Sequence, residues 1–150
     1  MLHVPTEHAL WVVEYHESDE NDFSVTLVEA KSSAELVDTE FGPAHSINPD
    51  QSSSVFNVTW RRYVAFAVIN ESYALPEEGV PAGHGLGTLE HSLFRTYVAA
   101  STFADDDYPG PLTHWFLNAA RHCFDVVSAN APTIDKLDPD KAASVLARYL

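Results

Sequence analysis

A carboxylate and a phenol end a strongly apolar run, and they are the first candidates for a functional site. The run Val55 to Tyr73 (VFNVTWRRYVAFAVINESY) is apolar on both faces until its last four residues. A strand of that kind lies in the middle of a packed domain. Counting by twos places Glu71 and Tyr73 on the same face as the preceding apolar side chains, where a charge must reach solvent or find a partner.

Arg95 is the partner that the sequence predicts for Glu71. Leu89 to Ala99 is rich in strand-forming residues, and a hairpin across the intervening glycine loop would place the two strands side by side. We therefore expect a Glu71–Arg95 ion pair at the mouth of a pocket, with His91 or Tyr97 nearby. The same residues also fit a structural pair that only fixes strand register.

His114 is a further candidate for binding a ligand. It begins a polar stripe at steps of four, three and four along the predicted helix Pro111 to Ala129, and the stripe continues through Asn118, Arg121 and Asp125. Such a stripe could line a cleft, although more often it is the solvated face of a helix. The candidate ligand-binding residues are therefore Glu71, Tyr73, His91, Arg95, Tyr97 and His114.

No dense metal-ligand spacing accompanies the eight histidines, and there is a single cysteine. The glycine-rich segment around His84 lacks the lysine of a phosphate loop and the spacing of a dinucleotide loop. Cys123 falls on the core side of the predicted helix without an activating neighbour. The sequence therefore predicts no metal, no cofactor and no cysteine nucleophile.

The charge is strongly negative and unevenly distributed. The formal net charge is −14, of which −10 falls on residues 1–55, where Lys31 is the single lysine or arginine. An acidic surface repels nucleic acid and anionic membranes but attracts basic proteins. It also keeps a small protein soluble without any specific partner. We expect neither nucleic acid nor a membrane as partner.

The N-terminal residues show no basic region followed by an apolar stretch, and one cysteine cannot form an internal disulfide. These two features predict a cytoplasmic protein without a secretory leader.

Periodicity predicts strands first and helices last. The predicted strands are Ala9 to His16 and Phe23 to Glu29, joined as a hairpin, then Val55 to Trp60, Tyr63 to Tyr73 and Leu89 to Ala99, the last of which could also be a helix. Residues 31–54 form a long connection with one helical turn at Ser33 to Val37, and residues 74–87 form a mobile loop. The helices are Pro111 to Ala129 and residues 139–149, with Asp138 as N-cap.

This order predicts one α+β domain over residues 1–150. Its antiparallel sheet, which could be strongly curved, would carry a long C-terminal helix on one face and a short final helix. The leading hypothesis for function is non-enzymatic binding of a basic protein by the acidic N-terminal third. The alternative is a ligand-binding or hydrolytic cleft between sheet and helix that uses Glu71, Tyr73, His91 and Arg95. The sequence leaves homo-oligomerisation open.

Overall fold

The computed structural model describes residues 8–150, except the side chains of Ser33 and Ala34, and this part of the chain is mostly β. Residues 1–7, on which the leader prediction depends, lie outside it. The strands are β1 (Ala9–Glu17), β2 (Phe23–Thr39), β3 (Gly42–Asn48), β4 (Val55–Trp60), β5 (Ala65–Asn70), β6 (Gly85–Leu89), β7 (Thr113–Ala119), β8 (His122–Ser128) and β9 (Thr133–Lys136). The helices are α1 (Leu93–Ser101) and α2 (Pro139–Tyr149), and Glu71–Tyr73 form one 3-10 turn.

The strands form two antiparallel sheets. The first has the order β1-β2-β4-β9, with β3 paired to β2, and the second has the order β5-β8-β7-β6. Neither sheet is strongly curled. The inward side chains of both sheets form a single core cluster, so the two sheets pack face to face.

Alternation in β2 explains how that core forms. Phe23, Val25 and Leu27 point into the core between the sheets and are fully buried, and Ser24 and Thr26 lie on the opposite face of β2. The ring of Phe23 stacks on that of Phe66 in the second sheet, with 4.1 Å between ring centroids. Full burial of each such side chain contributes about 1.5–3 kcal/mol, so this alternation holds the two sheets together.

Three sequence predictions are confirmed. The β1–β2 hairpin forms, with Glu17 paired to Phe23 next to its turn. The strand Val55–Trp60 has the predicted bounds. Asp138 caps α2, accepting the backbone N–H of Lys141 at its side chain.

The α+β prediction is wrong, because the predicted long helix Pro111 to Ala129 is the β7–β8 hairpin. Its apolar residues satisfy helical and alternating spacing equally well. Both faces of this hairpin are largely buried, and adjacent Val126 and Val127 favour an extended backbone. Arg121 closes the turn at φ +71°, a left-handed conformation that interrupts any helix.

Of the two alternatives for Leu89 to Ala99, the helix forms, from Leu93 onward, and only Leu89 belongs to a strand. Ser92 starts α1 by accepting the N–H of Arg95 at its Oγ, 3.0 Å away, and the helix continues to Ser101. A serine just before an apolar run is an N-cap signal, and it prevails over the strand propensity of the residues that follow.

The helical turn predicted at Ser33 to Val37 is absent, because β2 continues through it to Thr39. There β2 pairs with β3, from Lys31 opposite Asn48 to Thr39 opposite Gly42. We call this hairpin, residues 31–48, the arm. The strand predicted for Tyr63 to Tyr73 is shorter than expected: it ends at Asn70, whose side chain caps the 3-10 turn.

Further elements cover the outer faces of the sheets. α2 packs Val145 and Leu146 against Val28 and Val55 on the first sheet. α1 packs on the second sheet, where the ring of Phe94 contacts that of His114. Between residues 8 and 150, no helix has the length and apolar character that crossing a membrane requires.

Candidate functional site

Three polar side chains form a continuous hydrogen-bonded chain on the outer face of the second sheet. His114 is fully buried; its Nδ1 lies 2.6 Å from Ser92 Oγ and its Nε2 lies 2.6 Å from Asp125 Oδ1. An ionised carboxylate can only accept, so Asp125 places the imidazole proton on Nε2. Nδ1 is then the acceptor of a hydrogen bond that the Ser92 hydroxyl donates.

The β7–β8 hairpin and the start of α1 position this chain. His114 pairs with Val127, and Asp125 is two residues from Val127, so His114 and Asp125 are diagonal neighbours on one face of the sheet. Ser92, the N-cap residue of α1, contacts His114 from the helix that covers this face of the sheet. The chain therefore also fixes α1 to the sheet.

A cleft of about 440 Å³ adjoins Asp125. It lies between the second sheet and the loop of residues 74–84. Carboxylate, imidazole, amide and thiol groups line one part of it, and apolar side chains line the rest: Glu71, Glu77, His84, Asn118, Cys123 and Asp125, with Ile69, Leu75, Val80 and Phe116. Apolar walls with a few polar groups are typical of small-molecule sites.

Backbone contacts hold Glu71 at the edge of this cleft. Its Oε2 accepts the N–H of Arg121 at 2.6 Å, and its Oε1 lies 3.9 Å from His84 Nε2. The other nitrogen of His84, Nδ1, accepts the N–H of Leu10 at 2.9 Å. The carboxylate is therefore held where the first sheet, the loop and the β7–β8 turn meet.

Cys123 lies inside the cleft but is a poor nucleophile. Burial, followed by the charges of Glu71 and Asp125, raises the pKa of its thiol above the ordinary value. A raised pKa leaves less thiolate at neutral pH.

The structure separates the residues that the sequence grouped together. Glu71 lines the cleft and His114 belongs to the hydrogen-bonded chain, but Tyr73 is 81% exposed. His91 and Arg95 line a different, shallow depression beside Ser92. Tyr97 is exposed on α1, stacked on Phe94.

The expected Glu71–Arg95 ion pair does not form. Arg95 Nη1 instead donates to the carbonyl of Glu90 at 3.4 Å. The sequence predicts Leu89–Ala99 as the strand next to β5, but the strand that pairs with β5 is β8. Glu71, which follows β5, therefore contacts the β7–β8 turn at Arg121.

Sequence reasoning missed Ser92 and His84 as members of this face. The N-cap pattern at Ser92 could have been recognised from the residue types alone. The sequence predicts Asp125 as part of the polar stripe of a helix. Its contact with His114 comes from strand register, which cannot be read while the segment is taken for a helix.

The arm is a second candidate surface, on the other sheet. None of the seven residues of β3 is buried. Phe41 at its tip is 93% exposed, and Leu36, Val37 and Ile47 are also exposed. The carboxylates of Glu35, Asp38 and Glu40 lie in the same hairpin, with Lys31 as its single lysine or arginine.

A wider depression of about 1140 Å³ lies near the β1–β2 and β4–β5 turns. One of its carboxylates, that of Asp22, accepts the backbone N–H of Arg62 at 3.0 Å and lies 3.7 Å from the guanidinium of Arg61. This pairing makes the depression a weaker candidate than the cleft.

Across the residues that the structure describes, no group of three or more His, Cys, Asp or Glu side chains is placed to hold a metal ion. Comparison with models of protein families, with curated proteins and with solved structures finds no match in any of the three.

Proposed function

We propose that this domain functions by binding a basic protein through the arm, residues 31–48. The observation that carries the proposal is the exposure of Phe41, 93% accessible at the tip of a hairpin that also bears Asp38 and Glu40. A protein interface commonly has an apolar, aromatic centre within a polar rim. Here the rim is acidic, which selects a partner with lysine or arginine around an apolar patch.

The size of the exposed apolar set supports this proposal. Single exposed apolar residues are ordinary, but four on one short hairpin are a reason to look for a partner. The acidic side chains would increase the association rate with a basic partner and make it sensitive to salt. Repulsion between equal charges would oppose pairing of two arms from identical chains.

Site-directed photocrosslinking tests the proposal in the native host. A benzophenone amino acid replaces Phe41 in one version of the protein and Phe103 in a matched control, because Phe103 is 85% exposed far from the arm in sequence. We expect a basic protein to crosslink from position 41 and not from position 103. Once purified, that protein should bind the wild type, and Phe41→Ala should weaken binding at least tenfold.

Two results would reject the proposal. One is an equal crosslinking pattern from both positions. The other is a crosslink from position 41 to a second copy of the same chain, because the arm would then mediate self-association.

The cleft supports a second candidate function, the binding of a small cationic ligand. Glu71, Glu77 and Asp125 line it, with His84 as the one basic group among the lining residues that the structure describes. Titration with spermidine, followed by NMR, should shift the amides of the cleft. Glu71→Gln should abolish those shifts, whereas Glu78→Gln, next to the lining residue Glu77, should preserve them. Equal shifts in both variants would indicate only nonspecific attraction to an acidic protein.

A further inference from the structure

We propose that Ser92 is the nucleophile of an acyl-transfer site, with His114 as its general base and Asp125 orienting the imidazole. This inference does not rest on the basic partner or the cationic ligand proposed above, although Asp125 also lines the cleft. It rests on the two 2.6 Å contacts that join the three side chains. A serine, a histidine and a carboxylate in continuous hydrogen-bond contact are the parts of a serine hydrolase site, whatever the fold.

The direction of the hydrogen bonds agrees with this role. Asp125 accepts the Nε2–H of His114, so Nδ1 carries a lone pair directed at the hydroxyl of Ser92. In the serine proteases Nε2 faces the serine and Nδ1 faces the aspartate. In this protein Nδ1 faces Ser92 and Nε2 faces Asp125. Either nitrogen can remove a proton, so the exchange does not weaken the base.

The start of α1 offers stabilisation for a developing oxyanion. Ser92 is the N-cap, and the N–H groups of Leu93 and Phe94 lie in the first turn, where a helix supplies no carbonyl partners. The positive end of the helix dipole adds to these donors. When Ser92 attacks a carbonyl carbon, the carbonyl oxygen would therefore develop its negative charge beside these N–H groups.

Access comes from the depression of about 390 Å³ beside α1. Ser92 is half-buried and lines it together with Glu90, His91, Arg95, Thr96 and Ala99. A space of this size accommodates a short acyl ester. Ser92 therefore borders this depression at the protein surface, although the imidazole behind it is fully buried.

The reaction would proceed in two balanced halves. Ser92 Oγ bonds to the carbonyl carbon while its proton moves to His114 Nδ1. The ester C–O bond then breaks, and the alcohol leaves with that proton. Water attacks the acyl-serine through the same base, which releases the acid and restores the Ser92 hydroxyl.

The experiment uses two probes, a fluorophosphonate that labels activated serines and p-nitrophenyl acetate as ester. We expect labelling at Ser92, located by peptide mass spectrometry, and ester hydrolysis that rises with pH through a single ionisation. Ser92→Asn should abolish both while keeping an N-cap residue at the start of α1. Asp125→Asn should slow labelling at least 100-fold. Ser101→Ala, at the other end of α1, should leave the labelling rate unchanged.

Circular dichroism and urea unfolding show whether each variant is folded, so that every result is informative. A folded wild type that is not labelled at Ser92 overturns the proposal. Labelling of Ser92 at the same rate in folded Asp125→Asn also overturns it, because the chain would then serve only to fix α1 to the sheet.

Discussion

The imidazole of His84 accepts the backbone N–H of Leu10 across 2.9 Å, although 74 residues separate the two in sequence. Leu10 is fully buried in β1, so the contact attaches the end of the loop of residues 74–84 to the first sheet. The other side of the same ring faces Glu71 at the edge of the cleft. One histidine thus connects the cleft with the edge strand β1 of the opposite sheet.

Removing that acceptor should loosen the loop and the beginning of β1. His84→Ala leaves the buried N–H of Leu10 without a partner, which costs about 1–3 kcal/mol. Hydrogen exchange should become faster at Leu10 and through residues 74–84, and the urea midpoint should fall. His91→Ala, at an exposed histidine, is the control and should change neither. Unchanged protection of Leu10 in His84→Ala would show that another group replaces the imidazole.

Replacing His114 should destabilise the protein more than replacing an exposed histidine. His114→Leu keeps an apolar volume but leaves Asp125 and Ser92 without their shared partner, and a polar group left unsatisfied in this way costs about 1–3 kcal/mol. The control His91→Leu should stay within about 0.5 kcal/mol of the wild type. Denaturation curves measure both, and equal midpoints would contradict the assigned contacts.

Gly87 should not tolerate a side chain. A Cβ at that position would lie 2.5 Å from Phe116 Cζ, so the ring, which is nearly buried, would have to move into the cleft. Gly87→Ala should therefore cost about 1–3 kcal/mol, as overpacking does. Adding Phe116→Leu should recover much of that loss, because the shorter side chain leaves room for the new methyl group. Additive losses in the double variant would rule out this contact as the cause.

The thiol of Cys123 should react slowly. Because burial and the two neighbouring carboxylates raise its pKa, the rate of iodoacetamide alkylation should reach half its maximum at a higher pH than for free cysteine. Glu71→Gln removes one of the charges and should move that midpoint down. A midpoint at or below that of free cysteine would contradict the environment described for the cleft.

The part of the fold that could be predicted from sequence is the part fixed by local signals. Phe23, Val25 and Leu27 alternate with polar residues, and this pattern fits a half-buried strand and no helix. Asp138 followed by proline marks a helix start that needs no tertiary information.

The rest depends on contacts that are distant in sequence. The segment from Pro111 to Ala129 is apolar at so many positions that both the helical and the alternating period fit it. Packing between the two sheets favours the strands of the β7–β8 hairpin. This error carried over to the candidate site. A helix over this segment does not place Asp125 beside His114, and a strand over Leu89 to Ala99 gives Arg95 a strand partner that it lacks.

The unbroken run of β2 from the core into the arm has a mechanical consequence. Within the first sheet β2 lies between β1 and β4, with ladder hydrogen bonds on both sides perpendicular to its axis. Tension applied at Phe41 along that axis would load those bonds in shear, so they would share the force instead of opening one at a time. A partner pulling on the arm would be resisted by the centre of the sheet and not by its edge.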